Sequence, residues 1–222
     1  MPIRKTILAT DEVYHVFNRG INRQPTFTTK QEYKRALLTM QFYRVAKPPT
    51  KLSRFLRLEK EEQAKILKYL DEEEKQVEII CFCLMPNHFH FLLKQKKENG
   101  ISKFMGNFQN SYTRYYNTKH EADGSIFLTQ FKAVRIVTDE QLMHVSRYIH
   151  LNPHTGYVVK SIEELNNYPW SSYKNYITNN NSFIESDLVM GLFKNREDYK
   201  QFVHDQADYQ RELKRIEHLM ME

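Results

Sequence analysis

His88 and His90 are separated by one residue within Met85-Pro86-Asn87-His88-Phe89-His90-Phe91-Leu92-Leu93, a stretch that reads as a β-strand. Successive strand residues point to opposite faces, so the two imidazoles project together while Phe89, Phe91 and Leu93 point into a core. Neutral imidazole binds Zn, Mn, Fe, Ni and Cu, and Mg is accommodated where phosphate oxygens complete its shell. Two protein ligands make an open site, which suits catalysis better than the four-ligand stapling of structural metals. Two histidines in one strand also occur as surface groups or as hydrogen-bonded core residues. The pair therefore takes its meaning from what the rest of the chain places around it.

The elements that must position these side chains are legible from periodicity. Residues 12–18 read as a first strand, closed by Arg19-Gly20 and a polar loop to Gln24-Pro25. Apolar residues at helical spacing over 30–45 (Tyr33, Leu37, Met40, Phe42, Tyr43) give a helix, ended by Lys47-Pro48-Pro49-Thr50. Residues 53–75 form a highly charged helical stretch, read as an inserted arm. A buried strand at 77–84 turns tightly at Pro86-Asn87 into the His strand at 88–94. A helix over 101–118 and a fourth strand near 126–137 follow. The order strand, helix, strand, strand, helix, strand predicts an α+β fold, a ferredoxin-like βαββαβ antiparallel sheet with helices on one face.

After that unit, Thr138 and Gln141 stand in capping-box register for a helix over 139–151, with Asp139 and Glu140 in its first turn and Pro153 as its stop. Leu142, Val145 and Ile149 form its buried stripe. Gln141, His144, Tyr148 and Asn152 fall on the adjacent polar stripe. Residues 157–176 read as mostly irregular, and 186–221 as a helical tail. The expected organisation is a domain over 1–178 with the arm at 53–75, and a helical C-terminal extension over 179–222.

With 13% aromatics, 41% hydrophobic residues, six Gly and seven Pro, the composition excludes a disordered or fibrous chain. No run is long and apolar enough for a membrane span or a secretory signal, so a cytoplasmic protein that does not insert in membranes is expected. Cys81 and Cys83, two apart in one strand, are expected to stay reduced. The formal net charge of +6 favours an anionic partner. Lys96, Lys97, Lys103, Arg114, Lys119, Lys132, Arg135 and Arg147 alternate with Tyr112, Tyr115, Tyr116 and Phe131, a mixture suited to single-stranded nucleic acid.

Four motifs then agree in order. Tyr-His-Val-Phe-Asn-Arg-Gly at 14–20, Met-Pro-Asn-His-Phe-His at 85–90, Arg-Tyr-Ile-His-Leu-Asn-Pro at 147–153 and Tyr-Pro-Trp-Ser-Ser-Tyr at 168–173 resemble the single-tyrosine HUH transposases, the insertion-sequence-200-like family, and most closely their REP-associated branch. The resemblance covers about residues 12–175. It implies a metal-dependent single-stranded DNA endonuclease and strand transferase that recognises hairpin or repeat DNA. By position, His88 and His90 would bind a divalent Mg or Mn ion and Tyr148 would form a 5′-phosphotyrosine. Some relatives place a metal-binding Gln one turn after the tyrosine, where this chain has Asn152. Arg19, Arg23, Gln24, Lys132 and Arg135 are the implied DNA contacts. His144 and Arg147 are candidates to assist, and the relatives include monomers and homodimers.

Three alternatives stay open at this level. Tyr112, Tyr115 and Tyr116 compete with Tyr148, since the chain has 14 tyrosines. A non-catalytic regulator on the same fold would bind repeat DNA without cutting it. A zinc hydrolase would result if the hairpin register set Cys83 across from His90, making a Cys83-His88-His90 site.

Overall fold

The structure, a computed structural model, describes residues 6–178 and 183–212. Along the chain its elements are β1 (Val13–Arg19), α1 (Lys30–Tyr43), α2 (Leu52–Phe55), α3 (Lys60–Glu72), β2 (Val77–Met85), β3 (His88–Gln95), α4 (Gly100–His120), β4 (Lys132–Ile136), α5 (Asp139–Thr155), α6 (Ile162–Leu165), α7 (Tyr173–Thr178), α8 (Asp187–Met190) and α9 (Arg196–His204). The strands pair antiparallel in the order β2-β3-β1-β4. This is the ferredoxin-like order, with β1 and β2 split by β3.

Strand alternation divides the side chains between two cores. Tyr14, Val16, Phe89, Phe91 and Leu93 pack with α1 and α4 through Ala36, Met40, Ile101, Phe104 and Phe108. Cys81, Cys83, Met85 and Leu92 face the other way, onto Leu142, Ile149 and Leu151 of α5 and onto Tyr173, Tyr176, Tyr199 and Val203 beyond it. The two helices of the βαββαβ unit thus share one face as expected, and α5 with the segments after it adds a layer on the other. A register irregularity between Ile79 and Cys81 puts Ile80 and Cys81 both in the second core. Such a bulge inserts one residue and resets the alternation beyond it, so Cys83 comes to lie opposite His90.

Four expectations shift in detail. The arm is two helices, α2 and α3, with their own small core of Phe42, Val45, Leu52, Phe55 and Leu70. Arg44, only 2% exposed, ties that arm down by donating to the carbonyls of Phe183 (3.0 Å) and Leu70 (3.3 Å) and pairing with Asp71. The fourth strand is limited to Lys132–Ile136 because the preceding segment is bonded to the end of β1 instead: Leu128 N–H donates to Arg19 O and Asn18 Nδ2 to Leu128 O. Pro153 lies inside α5, which runs on to Thr155. A proline so near a C-terminus removes one backbone donor without ending the helix. The tail contains α8 and α9, and the part of it beyond residue 212 lies outside the described residues.

The start of α4 is held against β2 by a close backbone approach. A Cβ at Gly100 would lie 2.2 Å from the carbonyl oxygen of Gln76. Gly100→Ala is therefore expected to destabilise the protein by about 1–3 kcal/mol, as overpacking does, measured by urea unfolding. An unchanged midpoint would show that α4 can shift freely.

Candidate active site

Four rings converge on the α5 side of the sheet. His88 and His90 sit at the start of β3, with ring centroids 5.1 Å apart. On β1, Phe17 pairs with His90 and Arg19 with His88, so both point to the same face. His15, two residues before Phe17, reaches diagonally and sets its Nε2 2.9 Å from His90 Nδ1. His88 Nδ1 lies 2.6 Å from Asn87 Oδ1, and the Asn87 amide is oriented at its other end by donation of Nδ2 to Arg23 O at 3.1 Å.

Tyr148 closes the group from above. The N-terminus of its helix is fixed by Thr138 Oγ1, which accepts from Gln141 N–H at 3.2 Å, while Gln141 Oε1 accepts from Val137 N–H at 2.9 Å. The Tyr148 ring stands edge-on to His90 (5.4 Å, 87°) and to His15 (5.9 Å, 72°). It is 42% exposed, whereas His90 is 6% exposed. A ring that touches the histidines and still meets solvent can be reached by a polymer substrate.

The rival tyrosines lie elsewhere. Tyr112, Tyr115 and Tyr116 belong to α4, on the opposite face of the sheet. Tyr112 is buried with its hydroxyl donating to Thr26 O at 2.6 Å, and burial raises its pKa far above that of a free phenol. His15 is also perturbed: burial pushes its pKa down to about 4, so the ring is neutral at neutral pH.

The other sequence-nominated residues separate clearly. Arg19 is exposed at the end of β1, Arg23 and Gln24 are exposed in the turn beside Asn87, and Lys132 pairs with Phe17 on the histidine face. Arg135 pairs with Tyr14, on the opposite face, and its guanidinium is taken by Glu12 (Nε to Oε2, 3.0 Å). Arg147 is 8% exposed and stacks over Phe202 (4.1 Å), donating to Phe202 O at 3.2 Å and lying 2.8 Å from His144 Nδ1. It is a joint between α5 and α9. His15 and Asn87 were not singled out by sequence, although the histidine in Tyr14-His15-Val16 sits on the same alternation as Phe17 and Arg19.

The donor set fits a divalent ion that keeps positions for phosphate and water. Asn152 is fully buried and donates Nδ2 to Tyr148 O at 2.8 Å, while its Oδ1 is buried without a hydrogen-bond partner. A carbonyl oxygen with its lone pairs unused, one helical turn after Tyr148, is the kind of donor that suits Mg or Mn. Zinc fits less well. Cys83 does lie opposite His90, but among the described residues no three His, Cys, Asp or Glu side chains are gathered to hold a metal. Cys83 is a buried member of the second core. Among the described residues, no helix is long and apolar enough to cross a membrane.

The family model described as "Transposase IS200 like" matches residues 39–152. Among solved structures, the chain is similar to a REP-associated tyrosine transposase bound to a REP hairpin. That match has a TM-score of 0.55 and 14% identity, and covers 83% of this chain and 91% of the other. At that identity the likeness establishes the shared fold. No curated protein matches the chain.

Proposed function

The chain belongs to the IS200-like transposase family, and from that premise we propose that it is a metal-dependent endonuclease and strand transferase acting on single-stranded DNA beside a hairpin. The observation that carries this reading is the contact of the exposed Tyr148 ring with the ring of His90, on the face where His88 also projects. His88 and His90, with Asn152 Oδ1, would hold a Mg or Mn ion. When bound, such an ion withdraws charge from the scissile phosphate and orients it for in-line attack.

In this reading Tyr148 Oη attacks the phosphorus, the bond from phosphorus to the 3′-oxygen breaks, and the phenolic proton ends on the released 3′-hydroxyl. The product is a 5′-phosphotyrosine. Its retained ester bond lets the 3′-hydroxyl of another strand attack in turn, releasing Tyr148 and joining DNA without ATP. Arg19 and Lys132, on the same face, would neutralise backbone phosphates, and the exposed Arg23-Gln24 turn would meet the hairpin flank. The compartment that holds the DNA, the cytoplasm, would be its place of work.

The test incubates the protein with Mn²⁺ or Mg²⁺ and labelled hairpin DNA taken from its own genomic flanks, then resolves the products on a denaturing gel. A covalent adduct that EDTA prevents is the expected result. Binding to the hairpin with no adduct under any divalent ion would favour the regulator over the enzyme.

A further inference from the structure

Each of the two histidines is gripped at the same ring nitrogen. At His88 the direction of the bond follows from chemistry. A carboxamide oxygen only accepts, and Asn87 spends its Nδ2 on Arg23 O, so the atom 2.6 Å from His88 Nδ1 is an acceptor and the hydrogen belongs to His88. The lone pair of His88 is then on Nε2. At His90 the partner of Nδ1 is His15 Nε2, 2.9 Å away, and either ring could donate. The two rings stack at 26° with centroids 5.1 Å apart, and the Phe17 ring lies against both, 5.5 Å from His90 and 4.9 Å from His15. Packing and the directional contact with His15 thus help to fix the orientation of His90.

We propose that His15 and Asn87 are positioning residues that hold His90 and His88 as Nδ1–H tautomers, so that both present Nε2 to a divalent cation. The inference rests on the reading of His88 and His90 as the cation's ligands, and adds the residues that set which nitrogen each one offers. Metal-binding histidines generally donate their other N–H to a fixed acceptor, and losing that acceptor costs about 10- to 100-fold in metal affinity. Here one acceptor is a carboxamide from the adjacent turn. The other is a neighbouring imidazole on β1, which accepts through Nε2 and so carries its own hydrogen on Nδ1. Neither residue touches the phosphate or Tyr148 Oη in this role.

Two measurements on the full chain without DNA test it. The first titrates Mn²⁺ alone and follows free Mn²⁺ by electron paramagnetic resonance for the wild type, His88→Ala, Asn87→Ala, His15→Phe and His15→Gln. Phe keeps the ring packing of His15 and removes only the acceptor, while the Gln side chain places an oxygen where Nε2 was. The expected result is loss of binding in His88→Ala, about 10- to 100-fold weaker binding in Asn87→Ala and His15→Phe, and recovery in His15→Gln. The second reads imidazole tautomers by long-range ¹H–¹⁵N correlation in the metal-free protein. His88 and His90 are expected as Nδ1–H, and His90 in His15→Phe as a mixture with Nε2–H.

Mn²⁺ affinity that depends on His88 but is unchanged in His15→Phe and Asn87→Ala, with unaltered tautomers, would overturn the positioning roles and leave the ligand assignment standing. Wild-type protein that binds no Mn²⁺, or His88→Ala that binds it as tightly, would overturn the ligand assignment itself. A wild-type His90 found as the Nε2–H tautomer would defeat the proposal whatever the affinities.

Discussion

Tyr148→Phe is expected to fold, to bind hairpin DNA as tightly as the wild type, and to give no covalent adduct with it. The substitution keeps the ring that stands against His90 and His15 and deletes one oxygen from a side chain that is 42% exposed. Its effect on stability should stay within about 1 kcal/mol. Its effect on cleavage is of another order, since removing a covalent nucleophile costs on the order of 10⁶-fold in turnover. The contrast is Tyr112→Phe, which cuts a buried hydrogen bond to Thr26 O. That variant should lose about 1 kcal/mol of stability and keep the adduct. Denaturing gels and intact-protein mass spectrometry of both variants decide the matter: an adduct that survives in Tyr148→Phe would take the nucleophile away from α5.

The second large effect concerns the support beneath that tyrosine. His150, two residues further along α5, is fully buried, with Nδ1 2.6 Å from Tyr199 Oη and Nε2 2.8 Å from Ser172 Oγ. Ser172 Oγ also accepts from Phe82 N–H at 2.8 Å, so this one ring links α5 to both α9 and β2. Burial pushes its pKa down to about 3. In the unfolded chain the same imidazole titrates near its ordinary value of about 6.5. Between those values the unfolded state holds a proton the folded state lacks, so stability falls as pH falls, by about 1.4 kcal/mol per unit. The contribution is complete above pH 6.5 or so and is lost on the way to the folded value. His150→Gln should therefore be less stable at pH 8 by about 2–4 kcal/mol, as a broken buried network is. It should also lose stability less steeply than the wild type between pH 6.5 and 4.5. Urea unfolding across that range is the measurement, and parallel slopes for the two proteins would show that His150 is not the group responsible.

Local periodicity made much of this molecule readable. The alternation in His88-Phe89-His90-Phe91 separates chemistry from core without any knowledge of the fold, and the stripe carrying Tyr148 follows from helix geometry. What it could not supply is which strand lies beside which, and in what register. The contact between His15 and His90 spans 75 positions and exists because β1 runs next to β3. Arg135 is an implied DNA contact, and nothing in the sequence shows that it pairs with Glu12. Arg147 is a candidate to assist the chemistry, and nothing in the sequence shows that α9 packs on it through Phe202. The bulge after Ile79, which decides what faces Cys83, leaves no mark in a run of consecutive apolar residues. Pro153 misled for the opposite reason: a strong local signal was overridden by a helix end already packed in the second core, where Leu151 is fully buried.

The interleaving on β3 has an evolutionary consequence. Phe89 and Phe91 belong to the core shared with α1 and α4, and His88 and His90 project from the other side of the same strand. On the proposed function, selection for folding and selection for DNA cleavage would act on alternate codons of a single short stretch. If the mobile element that such a protein serves decays, the histidine codons can drift while the phenylalanine codons stay fixed. A lineage can then keep a folded, basic, DNA-shaped scaffold after its catalytic capacity has gone, ready to be recruited by the host for another use.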